Sequence, residues 1–142
     1  MSVHLVKLSV GSESVSGLAS WVRRRVKANA KGPFGAVHDH VTRMFPKRRE
    51  ELLAGGSIYW VIKGVIRARQ KIIGLEPVTG ADGIERCAIL LAPPLIETMP
   101  QPRKAFQGWR YLRAEDAPAD LGDASEDVAP ELRAELAELG LL

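Results

Sequence analysis

Six residues within a run of ten could hold a phosphate: His40, Thr42, Arg43, Lys47, Arg48 and Arg49. Pro46 suits the first position of a helix, where its missing N–H would be unpaired anyway. That helix would run through Arg49, Leu52 and Leu53 and stop at Gly55-Gly56. A helix N-terminus offers unpaired N–H groups and the positive end of a dipole, which favour phosphate. Lys47 and Arg48 would add charge, and Arg43 could read a base. Three charges in a row equally suit a solvated helix face.

A second cationic group lies in Val65–Ile72. If this segment is extended, Arg67, Arg69 and Lys71 share one face at intervals of about 7 Å, a spacing that suits an extended nucleic-acid strand. Lysine and arginine on a sheet edge also deter aggregation, so the row has two readings. Aromatic residues form a third group: Tyr59, Trp60, Phe106, Trp109 and Tyr111 lie close in sequence to Lys63, Arg103, Lys104 and Arg110. Trp109 and Tyr111 share a strand face and are the candidates for stacking on a base, an interaction worth about 1–3 kcal/mol. Burial in a core is the competing role for such rings.

His38-Asp39-His40 places two histidines on one strand face, which could begin a metal site. Further ligands are required, and His4 and the single Cys87 are the only obvious additions, with nothing to bring them near. No metal and no cofactor is expected. There is no Gly-rich phosphate loop, nucleophile elbow or HExxH, so no catalytic residue is assigned.

These residues need elements to position them. Val3–Val10 reads as a first strand. Ser12 or Ser14 caps a helix whose Val15, Leu18, Val22 and Val26 form one apolar stripe. Val37–Met44 is extended. Ser57–Lys63, rich in β-branched and aromatic residues, reads as a central strand buried on both faces. Val65–Leu75 and Ile84–Leu91 pair around the turn Thr79–Gly83. Four prolines (93, 94, 100 and 102) mark an irregular connection with a helical turn around Leu95–Met99, and Trp109–Leu112 is a last strand. The order predicts an α+β fold: a small, bent, mostly antiparallel sheet or open β-barrel flanked by helices, with Gly64 as a corner.

Charge is sorted along the 142 residues. Residues 1–113 hold 19 of the 20 Lys and Arg but 8 of the 17 Asp and Glu, a balance of +11. Residues 114–142 carry −8. A basic α+β domain (1–113) followed by an acidic tail (114–142), with a short helix around Leu132, Leu136 and Leu139, suits a polyanionic partner that the tail could shield. One cysteine excludes an internal disulfide and fits a reducing compartment. No segment spans a membrane and no secretory signal is evident, so a cytoplasmic protein with no membrane partner is expected.

Three stretches resemble a family of uncharacterised alphaproteobacterial proteins, a domain of unknown function: His40-Val-Thr-Arg-Met-Phe-Pro-Lys-Arg-Arg-Glu-Glu-Leu52, Gly55-Gly-Ser-Ile-Tyr-Trp-Val-Ile-Lys-Gly64 and Phe106-Gln-Gly-Trp-Arg-Tyr-Leu112. The resemblance spans nearly the whole chain and implies no catalytic residue. A likeness over fewer residues runs to the PUA superfamily, with its ASCH and EVE domains. It rests on a basic helix, Pro46–Leu53, that leads through Gly55-Gly56 into an aromatic strand and a long hairpin. It implies a bent, PUA-like barrel that binds RNA or modified bases. The ASCH pattern Gly-x-Lys-x-x-Glu-x-Arg is absent.

Taken together, the sequence predicts a nucleic-acid-binding domain, with RNA favoured over another polyanion. Arg43, Lys47, Arg48, Arg67, Arg69 and Lys71 would contact the strand, and Trp109 or Tyr111 would stack on a base. The alternatives are an enzyme acting on a nucleotide or phosphorylated substrate at His40 and Arg43, and a protein-interaction module.

Overall fold

The computed structural model describes residues 3–9, 11, 13–104, 106 and 108–121. Seven strands and two α-helices follow in the order β1 (Val3–Leu8), α1 (Val15–Asn29), β2 (His38–Thr42), α2 (Arg49–Leu53), β3 (Ser57–Ile62), β4 (Val65–Thr79), β5 (Glu85–Leu91), β6 (Ile96–Pro102) and β7 (Trp109–Arg113). The sheet runs β2-β5-β4-β3-β1-β7, with β6 also on β4. Among the described residues only β1 and β3 pair in parallel, and the other pairings are antiparallel. This is the expected mixed α+β, mostly antiparallel sheet, and it is open rather than closed into a barrel.

Every residue of β3 is buried, as its two-faced apolar sequence requires. Two clusters account for this. Leu5, Leu18, Val22, Ile58, Trp60 and Ile72 pack under α1, while Val6, Tyr59, Val61, Ile66 and Leu112 fill the other face. Each fully buried Leu or Ile contributes about 1.5–3 kcal/mol. In α1, Leu18 and Val22 are buried and Val15 and Val26 half-buried, so the predicted stripe faces the sheet. Ser14 caps the helix by accepting from the Gly17 N–H at 3.0 Å.

Three local expectations differ from the structure. Gly64 is no sheet corner. Lys63 and Gly64, at φ 51° and 79°, form the two-residue turn between paired Ile62 and Val65. Positive φ at both positions is what a hairpin turn of that length favours. The sheet instead changes direction along β4, which pairs β3 through Lys71 and β5 from Ile72, with a register shift between Ile72 and Gly74. The helical turn expected around Leu95–Met99 is strand β6. Its Pro100 and Pro102 are tolerated because the strand lies at an edge, where a missing N–H breaks no internal ladder. Finally, α2 begins at Arg49 rather than Pro46, because the amides of Lys47 and Arg48 donate to the Tyr111 hydroxyl instead of opening a helix.

Beyond β7, the chain folds back on β6. The Met99 N–H donates to the Ala119 carbonyl at 2.7 Å, Thr98 bridges Asp120, and Leu121 is buried. The helix expected around Leu132–Leu139 lies outside the described residues.

Gly56 closes the α2–β3 joint. A Cβ there would stand 2.4 Å from the Val3 carbonyl oxygen and 2.5 Å from that of Leu52. Both are backbone atoms held in place by the sheet and the helix. Gly56→Ala should therefore cost about 3 kcal/mol or more, read as a fall in thermal unfolding midpoint. A variant that melts with the wild type would contradict this packing.

Candidate ligand pocket and basic edge

A cavity of about 770 Å³ opens where the end of β1, the N-terminal half of α1, β2 and β3 converge. β1 contributes Lys7 and Leu8, and α1 contributes Gly17, Leu18, Trp21 and Arg24. His38 and His40 come from β2 and Trp60 from β3. The two histidines share a face because they are two residues apart on a strand. Asp39, between them, faces α1 instead: Arg25 binds it through two nitrogens at 2.7 and 3.1 Å, and Asn29 Nδ2 donates at 2.8 Å. Burial raises the Asp39 carboxyl, but these bonds outweigh it and hold the group below its ordinary range. The helix and the strand that frame the cavity are thus pinned together from behind.

The floor is organised by Gln70 of β4, which is fully buried. Its Oε1 accepts from Trp60 Nε1 at 3.0 Å and lies 3.0 Å from His38 Nδ1. Its Nε2 donates to the Ala92 carbonyl at 3.1 Å. With the amide so oriented, His38 must carry its proton on Nδ1, which leaves Nε2 as an acceptor. Burial keeps His38 neutral, outweighing the Gln70 bond that favours its proton. The same bond sets its ring near-parallel to the indole of Trp60, at 6.2 Å and 28°.

His40 meets Trp60 edge to face at 5.5 Å, and its Nε2 is buried without a hydrogen-bond partner. Burial, with repulsion from Lys7 and His38, pushes its value down to about 4, so the ring is neutral at pH 7. Burial also lowers Lys7. Among the described residues neither Lys7 nor Arg24 makes an ion pair, and Glu13 is the only carboxylate on the cavity wall. The cavity thus joins the exposed indole of Trp21, a neutral imidazole and a partly desolvated ammonium with no ion pair among the described residues, while Trp60 packs in the core behind them. Metal ligation is a poorer match. Among the described residues no group of three or more His, Cys, Asp or Glu could hold an ion, and His38 Nδ1 is committed to Gln70. Cys87 is buried, which raises its thiol to about 11 and leaves it unreactive at neutral pH.

The eight residues singled out from sequence are scattered by the fold. Arg69 is held by Asp120 through two bonds of 2.7 Å and also donates to Ser57 Oγ at 2.9 Å. Lys71 is exposed on the same strand. Arg67 has no partner in the β3 or β6 ladder of β4, where both registers shift across it. Trp109 is 5% exposed, packed in the core, and donates from Nε1 to the Met44 carbonyl at 3.1 Å. The Tyr111 hydroxyl accepts from the amides of Lys47 at 2.9 Å and Arg48 at 3.1 Å. Arg48 stacks over the Tyr111 ring at 5.3 Å and pairs with Glu51. Arg43 and Lys47 are exposed in the segment that these bonds hold against β7. Beside Tyr111 is a second, shallow depression of about 540 Å³, lined by Arg103, Lys104, Phe106 and Arg110. The helix terminus expected to take a phosphate is not formed, since α2 has five residues and the amides before it serve Tyr111.

Lys7, Trp21, Arg24 and Gln70 escaped the sequence reading. A signal for two of them existed. Lys7 continues the Val3–Leu5 face with a charge, and Gln70 interrupts the inward set Ala68–Ile72 with an amide. A polar side chain on an apolar strand face is either paired or functional.

A family model described as "Protein of unknown function (DUF1489)" matches residues 5–142, and the chain belongs to that family. No curated protein and no solved structure matches the chain.

The depressed value of His40 ties stability to pH. Unfolded histidine titrates near 6.5. Above that pH both states are neutral and the contribution is complete. As the pH falls toward about 4 only the unfolded chain takes the proton, so the folded state loses ground. His40 alone should remove about 2 kcal/mol between pH 7 and pH 5. Chemical denaturation at both pH values should show this loss in the wild type and a smaller one in His40→Gln. Equal losses in the two proteins would contradict the burial of a neutral ring.

Proposed function

We propose that the chain, as a member of that family, binds one nucleotide unit in the cavity between α1 and the sheet. The ring of the base would lie between Trp21 and His40, which Trp60 backs from the core, with its anionic group toward Lys7 and Arg24. One observation carries this reading: a cavity of nucleotide-accepting size that joins the exposed Trp21 indole and the His40 imidazole to an ammonium lacking a carboxylate partner among the described residues. Indole faces stack on any base, and a cation nearby selects the phosphorylated form. A neutral imidazole can meet the edge of a base with one hydrogen bond and no added charge.

Binding is favoured over catalysis. A histidine near 4 is a weak base at neutral pH. The nucleotide can be free or part of a nucleic acid. The basic balance of residues 1–113 supports the second source.

The test is a titration of the full chain with the four ribonucleoside monophosphates, ribose 5-phosphate and inorganic phosphate, followed by tryptophan fluorescence. At least one nucleotide should bind saturably and more tightly than either ring-free anion. Lys7→Met, which keeps the aliphatic stem, should weaken it about 10-fold or more through the lost charge-assisted bond. Trp21→Ala should weaken it by a similar factor. Absence of saturable binding at millimolar nucleotide, or equal affinity for inorganic phosphate, would rule the reading out.

A further inference from the structure

We infer that the nucleotide in the cavity belongs to a single nucleic-acid strand, and that the strand's backbone lies across the edge built around Tyr111. This rests on the reading of the cavity above and adds a separate surface to it.

Tyr111 joins segments that are far apart in sequence. Its hydroxyl accepts the amides of Lys47 and Arg48, its ring lies under the Arg48 guanidinium, and its other side borders Arg103, Lys104, Phe106 and Arg110. Arg110 itself lies over the Phe106 ring at 5.6 Å. Lys47, Arg103 and Lys104 make no ion pair among the described residues. The depression is shallow, flanked by cations and floored by aromatic rings. Such a surface suits a chain passing over it better than a ligand enclosed by it.

Two backbone links run from the cavity to the edge. In the β1–β7 ladder Lys7, on the cavity wall, stands opposite Trp109, and Tyr111 is two residues farther along β7. That separation is about 7 Å, within reach of neighbouring phosphates on one strand. The second link is the segment after β2. That strand carries His40 on the cavity wall, and the chain then leads through Arg43 to the amides bound by Tyr111. A strand with one base in the cavity and its backbone following either link would reach Arg43 and Lys47, or the cations around Tyr111. An unpaired strand fits because a base must leave its stack to enter the cavity.

Tyr111 is a positioning residue here, acting through Lys47 and Arg48. The experiment measures the full chain against a ten-nucleotide single-stranded RNA, the DNA of the same sequence, and the best-binding mononucleotide, between 50 and 200 mM salt. The oligonucleotide should bind more tightly than the mononucleotide, and more steeply with salt. In the doubly substituted variant Arg103→Ala, Lys104→Ala, oligonucleotide affinity should fall about 10-fold and the log–log salt slope by roughly 1.4, at about 0.7 per phosphate contact on a single strand. Mononucleotide affinity should not change. Tyr111→Phe removes no charge, yet it should lower oligonucleotide affinity severalfold and leave the mononucleotide unaffected.

An oligonucleotide that binds no more tightly than the mononucleotide would overturn the inference while leaving the cavity reading intact. So would indifference to the double substitution, or competition by polyglutamate as strong as that by RNA. Failure of the cavity reading looks different: mononucleotides do not bind, and Lys7→Met leaves oligonucleotide affinity unchanged.

Discussion

The amide of Gln70 is the contact on which the site depends. It is fully buried in β4, takes the indole N–H of Trp60 from β3 and the imidazole of His38 from β2, and gives its own N–H to the carbonyl after β5. Losing the amide would leave two ring nitrogens and a carbonyl without it, each costing about 1–3 kcal/mol in a buried setting. The two aromatic walls of the cavity come from strands that are not neighbours in the sheet. A group bonded to both ties them into one orientation. His38 orients against Trp60, and His40 follows from it because alternate residues of a strand share a face.

A second hub does for the outer edge what Gln70 does for the interior. Trp109 and Tyr111 contact one another at 4.9 Å, and between them they fasten the backbone of Met44, Lys47 and Arg48. A loop dense in cations is held against a strand edge, where self-repulsion alone would spread it. The same bonds explain why α2 is short. Amides that would have begun the helix satisfy a hydroxyl instead.

Charge sorting takes a physical form at the junction of the two regions. Asp120, from the acidic side of the boundary, grips Arg69 in the basic body, while burial of Leu121 and the Met99–Ala119 bond fasten the same stretch to β6. Arg69 thus serves as an internal cation of the fold. Arg113 likewise binds Asp116 at 2.9 Å. Among the described residues Lys7 and Arg24 at the cavity, and Lys47, Arg103 and Lys104 near β7, make no ion pair.

Much of the fold was legible in the chain because its signals are local. The stripe of α1, the two-faced burial of β3 and the long hairpin of β4 and β5 follow from periodicity and turn residues over short windows. Strand β6 was not legible, since Pro100 and Pro102 are tolerated only at an edge, and being an edge is a property of the sheet. His40 and Trp60 were visible as candidate residue types, but Lys7 and Gln70 drew no notice. Arg69, Trp109 and Tyr111 looked available until partners 51, 65 and 64 residues away engaged them. The sequence by itself determined the fold class, the basic balance of the body and the supply of aromatic and cationic groups, because those depend on composition and nearest neighbours. Tertiary structure alone decided which of those groups stay unpaired and face one cavity, because pairing at 3 Å depends on which distant strands become neighbours.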